Sequence, residues 1–342
     1  MSEPFKEILA EVAAGKTLGV ARAQEAFGIM MSGEATQAQM GAFLMGLRLR
    51  GETVDEITGG AMTMRAKALM IDAPEGALDT CGTGGDFSGT YNISTGTSLV
   101  LAGAGVPVAK HGNRALSSKS GAADVLAALG VNIDADMSLV RKSLWEAGIC
   151  FLMAPRHHGA MRHVGAVRAE MATRTIFNLL GPLSNPAGAK RQLVGVFSRD
   201  WVEPLARVLG NLGTERAWVV HGAGGIDELS TTGPTHVAQI VGGELTTFEV
   251  NPADAGLDRA ILEDLKGGDA ETNAAAITAM LDGAAGPYRD VVILNSAAAL
   301  VIAEKAADLK AAAGLAAQSI ASGKARDALA GLVAITNEVA PA

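Results

Sequence analysis

The sequence predicts an α/β protein built as a small N-terminal all-helical domain plus a larger α/β domain with a mainly parallel central sheet flanked by helices. Three observations carry this. The first seventy residues show helical periodicity with no strand-like alternation. From residue 78 onward, short apolar runs alternate with Ala-rich helical stretches, the pattern of strands joined by crossover helices. The chain's 342 residues exceed what one compact core usually holds, and 49% hydrophobic with 19% charged residues marks a folded protein.

The helical part carries its own punctuation. Thr36 and Gln39 make a capping-box pattern ahead of Met40, Phe43, Leu44 and Leu47, an i, i+3, i+4, i+7 stripe, and Gly51 stands where a helix C-cap wants glycine. Thr53 and Glu56 repeat the box before Ile57, Ala61, Met64 and Ala68. Residues 10–17, AEVAAGKT, carry the tail of a phosphate-binding P-loop, but Ala10 stands where its first glycine is needed and the segment closes a helix. Gly15 reads instead as a C-cap. Residues 1–72 are assigned to the helical domain and 73–342 to the α/β domain.

Strands are expected at VPVA (106–109), ICFLM (149–153), QLVGVF (192–197), AWVV (217–220) and VVIL (291–294). HVAQIVGGELTTFEV (236–250) reads as a hairpin turning at Gly242-Gly243. TNAAAITAMLDG and the stretch from Leu300 to Ala325 read as helix. No internal repeat is visible.

A net charge of −8 and a pI near 5.3 argue against a nucleic-acid partner, which wants a basic face. Cys81 and Cys150 lack CxxC spacing, so neither a disulfide framework nor a Cys-rich zinc site is expected. The opening residues MSEPFKEILAEV lack a basic n-region, and no run of 18 apolar residues occurs, so the expected setting is cytoplasmic, without membrane insertion.

Four segments carry candidate chemistry. DTCGTGGDFSGTYNISTG (79–96) follows an apolar lead-in and runs into a helix; its glycines free backbone N–H groups to curl around an anion, the helix N-terminus adds its dipole, and Asn92, Ser94 and Thr95 add polar caps. It fails the dinucleotide fingerprint, whose last glycine would fall on Phe87. Taken alone, a glycine-rich loop is better read as an irregular turn with an N-cap; the hydroxyl cluster and the basic loop that follows shift the reading toward an anion site. VAKHGNRALSSKSG (108–121) brings Lys110, His111, Arg114 and Lys119 with Ser117 and Ser118, suited to a phosphate-rich ligand or to an ordinary charged surface. HGAGGIDELS (221–230) sets Asp227 beside Glu228, which could hold Mg²⁺ or simply be solvated. In residues 154–187, His157, His158 and His163 have offsets that do not stack on one helix face, which disfavours zinc, whereas Arg168 and Arg174 suit carboxylate or phosphate recognition.

Taken together, CGTGGD, NIST, KHGNR with SSKSGAADVLAALG, VGAVRAEMATRTIFNLLGPLSNPA and GIDELS closely resemble, in order and over nearly the whole chain, the successive motifs of the anthranilate phosphoribosyltransferase family. The resemblance implies a helical domain joined to an α/β domain of nucleoside-phosphorylase type, a segment near 168–190 returning to the helical domain, and a homodimer formed through that domain. It implies that Gly82, Gly85, Asp86, Thr90, Asn92, Ser94, Thr95, Lys110, Ser117 and Ser118 bind 5-phosphoribosyl 1-pyrophosphate (PRPP). Ser94, Asp227 and Glu228 would hold one or two Mg²⁺ ions, and Gly82, His111, Asn113 and Arg168 would meet anthranilate, with Arg168 on its carboxylate. Two departures stand out: Ala122 where the family often has Ser, and HHGAMR and VGAVRAEM where it has HHPAMK and VGPVRREL. The latter removes two prolines and, at Ala169, an arginine.

The implied reaction displaces pyrophosphate from ribose C1 by the amine of anthranilate, with Lys110, Arg114 and Lys119 as electrostatic support and no residue assigned as acid or base. The alternatives are a pyrimidine nucleoside phosphorylase, which has no need of the Asp227–Glu228 pair, and a non-catalytic nucleic-acid-binding relative, which the acidic charge opposes. Any coupling to an anthranilate synthase is expected through a separate chain.

Overall fold

The computed structural model describes residues 3–115 and 119–340. Four helices open the chain: α1 (Glu3–Ala13), α2 (Val20–Ser32), α3 (Gln37–Arg50) and α4 (Val54–Ala66). Both capping boxes form, Thr36 with Gln39 on α3 and Thr53 with Glu56 on α4. Glu56 does more than cap. Its carboxylate is buried and accepts from the backbone N–H of Thr53 and of Leu18, each at 2.9 Å, and from Arg50 Nη2. One carboxylate thus ties the start of α4 to the end of α3 and to the segment entering α2.

The α/β part follows as β1 (Leu78–Asp79), α5 (Ile93–Gly103), β2 (Val108–Gly112), α6 (Ala122–Ala128), α7 (Met137–Glu146) and β3 (Ile149–Met153). After α8 (Ala154–His157), α9 (Arg162–Met171) and α10 (Phe177–Leu180) come β4 (Arg191–Gly195), α11 (Val202–Asn211), β5 (Arg216–Gly222), β6 (Thr235–Val241) and β7 (Glu244–Val250). The chain closes with α12 (Ala270–Leu281), α13 (Pro287–Ile302), α14 (Leu309–Ala321) and α15 (Lys324–Thr336). The sheet order is β3-β2-β1-β4-β5-β6-β7, parallel from β3 to β5 and antiparallel beyond. The hairpin turns at Gly242-Gly243 as expected, with Val241 opposite Glu244.

The expected strand at 291–294 is corrected: Val291–Leu294 lie inside α13. Pro287 sits in the first turn, where its missing N–H does no harm, and the 16-residue helix is buried on nearly every side, so its apolar run has no polar face to betray the helical period. The stretch read as helix at 300–325 is broken twice, between α13 and α14, with Glu304 at φ +59°, and between α14 and α15, with Gly323 at φ +79°.

Two large cores flank the sheet. One gathers β1–β3, α5 and α12–α15. The other joins α1–α4 to Val164, Val167, Ile176, Phe177, Leu179, Leu180 and Leu183 and continues into β4, β5 and α11. Phe27 meets Phe177 edge-on, ring centroids 5.5 Å apart. Among the described residues, no helix is long and apolar enough to cross a membrane.

Because chain succession reverses direction at β1, with β2 and β3 on one side and β4 on the other, the crevice at the carboxyl ends of β1 and β4 is the topological switch point where open α/β sheets bind ligands. For the helical part, Glu56→Ala leaves Arg50 Nη2 and two N–H groups without their acceptor, while Arg50 keeps the Lys16 carbonyl, and should lower unfolding free energy by about 2–4 kcal/mol. Denaturant titration of wild type and variant measures this; a loss under about 1 kcal/mol would contradict the role given to Glu56.

Candidate active site

Asp79, the last residue of β1, is buried. Its Oδ1 accepts from His111 N at 3.0 Å and its Oδ2 from Asn185 Nδ2 at 2.7 Å, and Asn185 also donates to the Ala109 carbonyl at 2.8 Å. Burial pushes the Asp79 carboxyl up to about 6 against these hydrogen bonds. The group braces the ends of β1 and β2 against the segment after α10.

The glycine loop leaves β1 and lies against the loops after β4 and β5. Thr83 N donates to the Gly195 carbonyl at 2.8 Å and Thr83 Oγ1 accepts from Phe197 N at 3.1 Å. An added Cβ at Gly195 would overlap the Asp227 carbonyl, and one at Gly82 would come 2.9 Å from Asp227 Oδ2. These two glycines are what allow three loops to meet. Asp227 Oδ2 accepts from Gly84 N at 2.7 Å, and Asp86 Oδ2 accepts from Asp227 N at 3.2 Å and from Ser88 Oγ at 2.7 Å.

Asp227 and Glu228 are an uncommon pair: adjacent, half-buried and set in the wall of the cleft. Burial, then the charge of Asp86, pushes the Asp227 carboxyl up to about 7; burial, then Asp227, pushes Glu228 well above its usual range. Glu228 Oε1 accepts from Ser94 N at 3.1 Å, in the first turn of α5, and Lys110 Nζ donates to Ser94 Oγ at 3.2 Å and Thr80 Oγ1 at 3.4 Å. Two crowded carboxylates beside a hydroxyl form a hard oxygen set that a divalent cation would relieve, so the residues present fit Mg²⁺. The donor atoms of Asp79, Cys81 and His111 lie within 4.8 Å of one another, but Asp79 is already occupied by amide donors and burial raises the Cys81 thiol far above its usual range.

The cleft between these loops has a volume of about 660 Å³. It is lined by Gly82, Gly85, Asp86, Thr90, Asn92, Ser94, Lys110, His111, Asn113, Arg114, Arg168, Asp227 and Glu228, together with the departure Ala122. Thr95 does not line it; its hydroxyl is buried without a hydrogen-bond partner among the described residues. Lys119 is exposed and outside the lining, and Ser117 and Ser118 lie outside the described residues. Arg114 lines the cleft but donates to Asp124 Oδ1 at 3.0 Å.

Arg168 reaches the cleft from α9 and packs 5.4 Å from the Phe177 ring centroid. Among the described residues no carboxylate pairs with it, and burial lowers its affinity for a proton. Beside it His111 and His158 pack edge-to-face, centroids 5.2 Å apart. The carbonyls of Gly181 and Ser184 lie beside their ring nitrogens without meeting hydrogen-bond geometry, so burial decides their state and holds both neutral, at about 3 and about 4. His157 is turned away, its Nδ1 2.7 Å from the Leu69 carbonyl. Arg174, expected to suit a carboxylate or phosphate, instead lies behind the glycine loop and donates to the Gly85 carbonyl.

Sequence reasoning missed the clamp on the acid loop. Asn295 of α13, fully buried, accepts from Leu229 N and donates to the Leu229 carbonyl, both at 2.9 Å. An asparagine inside an otherwise apolar stretch was the available signal. Asn273 and Tyr288 do the same for Asn92, at 2.8 and 3.3 Å.

Residues 74–326 match the family described as the glycosyl transferase family a/b domain, and residues 6–68 match its helical bundle domain. The chain is 65% identical to the anthranilate phosphoribosyltransferase of Azospirillum brasilense over 97% of its own length and 93% of that protein. The chain belongs to the anthranilate phosphoribosyltransferase family. Its fold superposes on the crystal structure of the Thermus thermophilus member with a TM-score of 0.92 at 43% identity, covering 96% of this chain and 99% of that one. It superposes likewise on the Saccharomyces cerevisiae anthranilate phosphoribosyltransferase in complex with PRPP and Mg, with a TM-score of 0.90 at 26% identity over 99% of both chains.

The buried histidines give this family member a measurable acid limb. His158 stays neutral in the fold down to about 4, whereas the unfolded chain binds that proton near 6.5, so the unfolded state holds more protons between these values and stability falls as pH falls through the window. His158→Asn should flatten unfolding free energy against pH between about 6.5 and 4, by a slope approaching 1.4 kcal/mol per pH unit. Denaturant curves at several pH values test it, and an unchanged slope would refute it.

Proposed function

We propose that this chain transfers the phosphoribosyl group of PRPP to the amine of anthranilate, giving N-(5-phosphoribosyl)anthranilate and pyrophosphate, the second step of tryptophan biosynthesis from chorismate. The observation that carries the reading is the meeting, in one cleft, of an Arg168 guanidinium that no carboxylate pairs among the described residues with the Ser94–Lys110–Asp227–Glu228 cluster. One end of the cleft suits an aromatic carboxylate and the other a metal-bound pyrophosphate.

The glycine loop and the start of α5, through Gly82, Gly85, Asp86, Thr90, Asn92 and Ser94, offer N–H and hydroxyl donors to PRPP, and Lys110 adds a buried positive charge. Thr95, Ser117 and Ser118 remain assigned to the same ligand, Thr95 through its place at the helix start. Ser94, Asp227 and Glu228 would hold Mg²⁺, which when bound supplies neutralisation of the leaving pyrophosphate. Arg168 orients anthranilate through its carboxylate, and Asn113, His111 and Gly82 line its bed. An arylamine is a neutral nucleophile that needs no proton abstraction before attack, and the proton it sheds as the N–C1 bond forms and the C1–O bond breaks goes to the departing pyrophosphate or to solvent. His111, held neutral by burial, carries no charge that would draw the substrate carboxylate from Arg168. Catalysis then consists of alignment, exclusion of water from the activated ribose, and charge stabilisation on the departing group by Lys110 and Arg114, with Lys119 assigned to the same support from outside the cleft lining. The chain acts as a homodimer through its helical domain, in the cytoplasm.

Fluorescence of anthranilate reads the reaction. Wild type should consume it only with PRPP and Mg²⁺ present, and Arg168→Ala should raise KM for anthranilate by about 10–100-fold while leaving KM for PRPP near wild type. A folded wild type that consumes no anthranilate would sink the assignment. Glu228→Gln should raise the Mg²⁺ concentration needed for half-maximal rate by about tenfold or more; an unchanged Mg²⁺ dependence would remove Glu228 from the metal set.

A further inference from the structure

Arg174 takes no part in the reaction derived above, yet four groups converge on it. Its Nη2 donates to the Gly85 carbonyl. Its guanidinium lies 4.1 Å from the Phe197 ring centroid and 5.0 Å from that of Phe87. Its own carbonyl accepts from Arg48 Nη1, on α3, at 2.8 Å. Phe87 is 76% exposed and sits at φ +57°, a backbone state that bulky side chains seldom adopt. Its ring packs on this guanidinium, so the conformation is not set by burial in a core.

The rest of the glycine loop is fixed by other means. At its start Thr83 is tied to Gly195 and Phe197, and Gly84 to Asp227. At its end Gly267 N donates to the Gly89 carbonyl at 2.9 Å and Lys266 Nζ to the Ser88 carbonyl. In the stretch between, the Asp86 side chain is tied to Asp227 N and Ser88, and the 85–86 peptide and the turn at Phe87 are where Arg174 acts. The peptide bond is trans, so holding the Gly85 carbonyl toward Arg174 turns the Asp86 N–H to the opposite side.

We propose that Arg174 is a positioning residue for PRPP: stacked between Phe87 and Phe197, it fixes the 85–86 peptide with its N–H turned to the pyrophosphate and links the glycine loop to α3 through Arg48. The proposal rests on the reading that this loop receives PRPP. It differs from a direct phosphate contact, because the guanidinium stands behind the loop and outside the cleft lining. It differs from a fold-holding role, because its partners are one loop carbonyl and two rings, one of them largely exposed.

The test uses steady-state kinetics in both substrates, calorimetric titration with PRPP and Mg²⁺, and a melting midpoint, on wild type, Arg174→Ala, Arg174→Lys, Phe87→Ala and the double variant Phe87→Ala/Arg174→Ala. Arg174→Ala should raise KM and the calorimetric Kd for PRPP by about tenfold, with KM for anthranilate and the melting midpoint close to wild type. Arg174→Lys keeps a donor but not the planar stack and should recover part of that loss. Phe87→Ala should raise the same PRPP constants less, and the double variant should be no worse than Arg174→Ala alone, since both act through one latch. An unchanged PRPP affinity in Arg174→Ala, independent multiplication of the two single effects, or a collapse of the melting midpoint with both KM values would each overturn the proposal. If wild type turned over no anthranilate, the functional reading would fall instead, while the titration would still report whether Arg174 shapes the loop.

Discussion

Two adjacent carboxylates crowded together in the cleft at the switch point of the sheet are the constraint around which the rest is arranged. Set side by side and partly withdrawn from water, Asp227 and Glu228 resist ionisation, and a fold that keeps them must prevent them from swinging out to solvent. It does so with backbone. The acid loop is clamped by Asn295 on one side and pressed on the other against Gly82 and Gly195, where no side chain would fit. Ser94 N and Gly84 N then take up one oxygen of each acid. Lys110 stands close by, its ammonium held by hydroxyls and not by either acid. The site is preorganised at the expense of local electrostatic stability, a trade expected where charge is to be met by a ligand.

The second demand is that the cleft have two walls of different origin. The phosphate-type wall comes from the carboxyl ends of β1, β2 and β5, whereas Arg168, Phe177 and His158 come from the segment between β3 and β4. That segment packs with α1–α4, and the same apolar cluster runs on to β4, β5 and α11. The helices at the N-terminus therefore act on the site through what they support. Arg65 illustrates the join: half-buried on α4, it donates to the carbonyls of Leu183 and Leu212, fixing the returning segment and the end of α11 together.

Much of this was legible in the sequence wherever local chemistry decides structure. The Thr36 and Thr53 boxes, the Gly242-Gly243 turn and the strand at 149–153 follow from side chains within a few positions of each other. The cleft residues were legible for a related reason: glycine, hydroxyl and acid clusters have few uses together, and four such segments follow strand ends. What failed depended on neighbours far along the chain. VVIL has the composition of a buried strand, and only the surrounding helices and sheet make it one stripe of α13. Glu56 read as a cap but is the buried junction of three segments, and Arg174 read as a ligand cation because a guanidinium suits a phosphate, a carbonyl or an aromatic face equally well. Composition cannot choose among those partners.

The joint at Arg65 also bears on how the chain is made. The partner carbonyl on Leu212 lies 147 residues downstream, and Phe27 waits similarly for Phe177. During synthesis at about 5–20 residues per second, the first four helices emerge on the order of ten seconds before the segment that completes their core. Over that interval Phe27, Phe43 and Leu44 belong to an unfinished cluster, and their exposure is governed by ribosome speed and by holding chaperones rather than by the free energy of the finished fold. A substitution near Phe177 would therefore be felt first as a drop in the yield of folded chain, before any effect on the molecules that do fold.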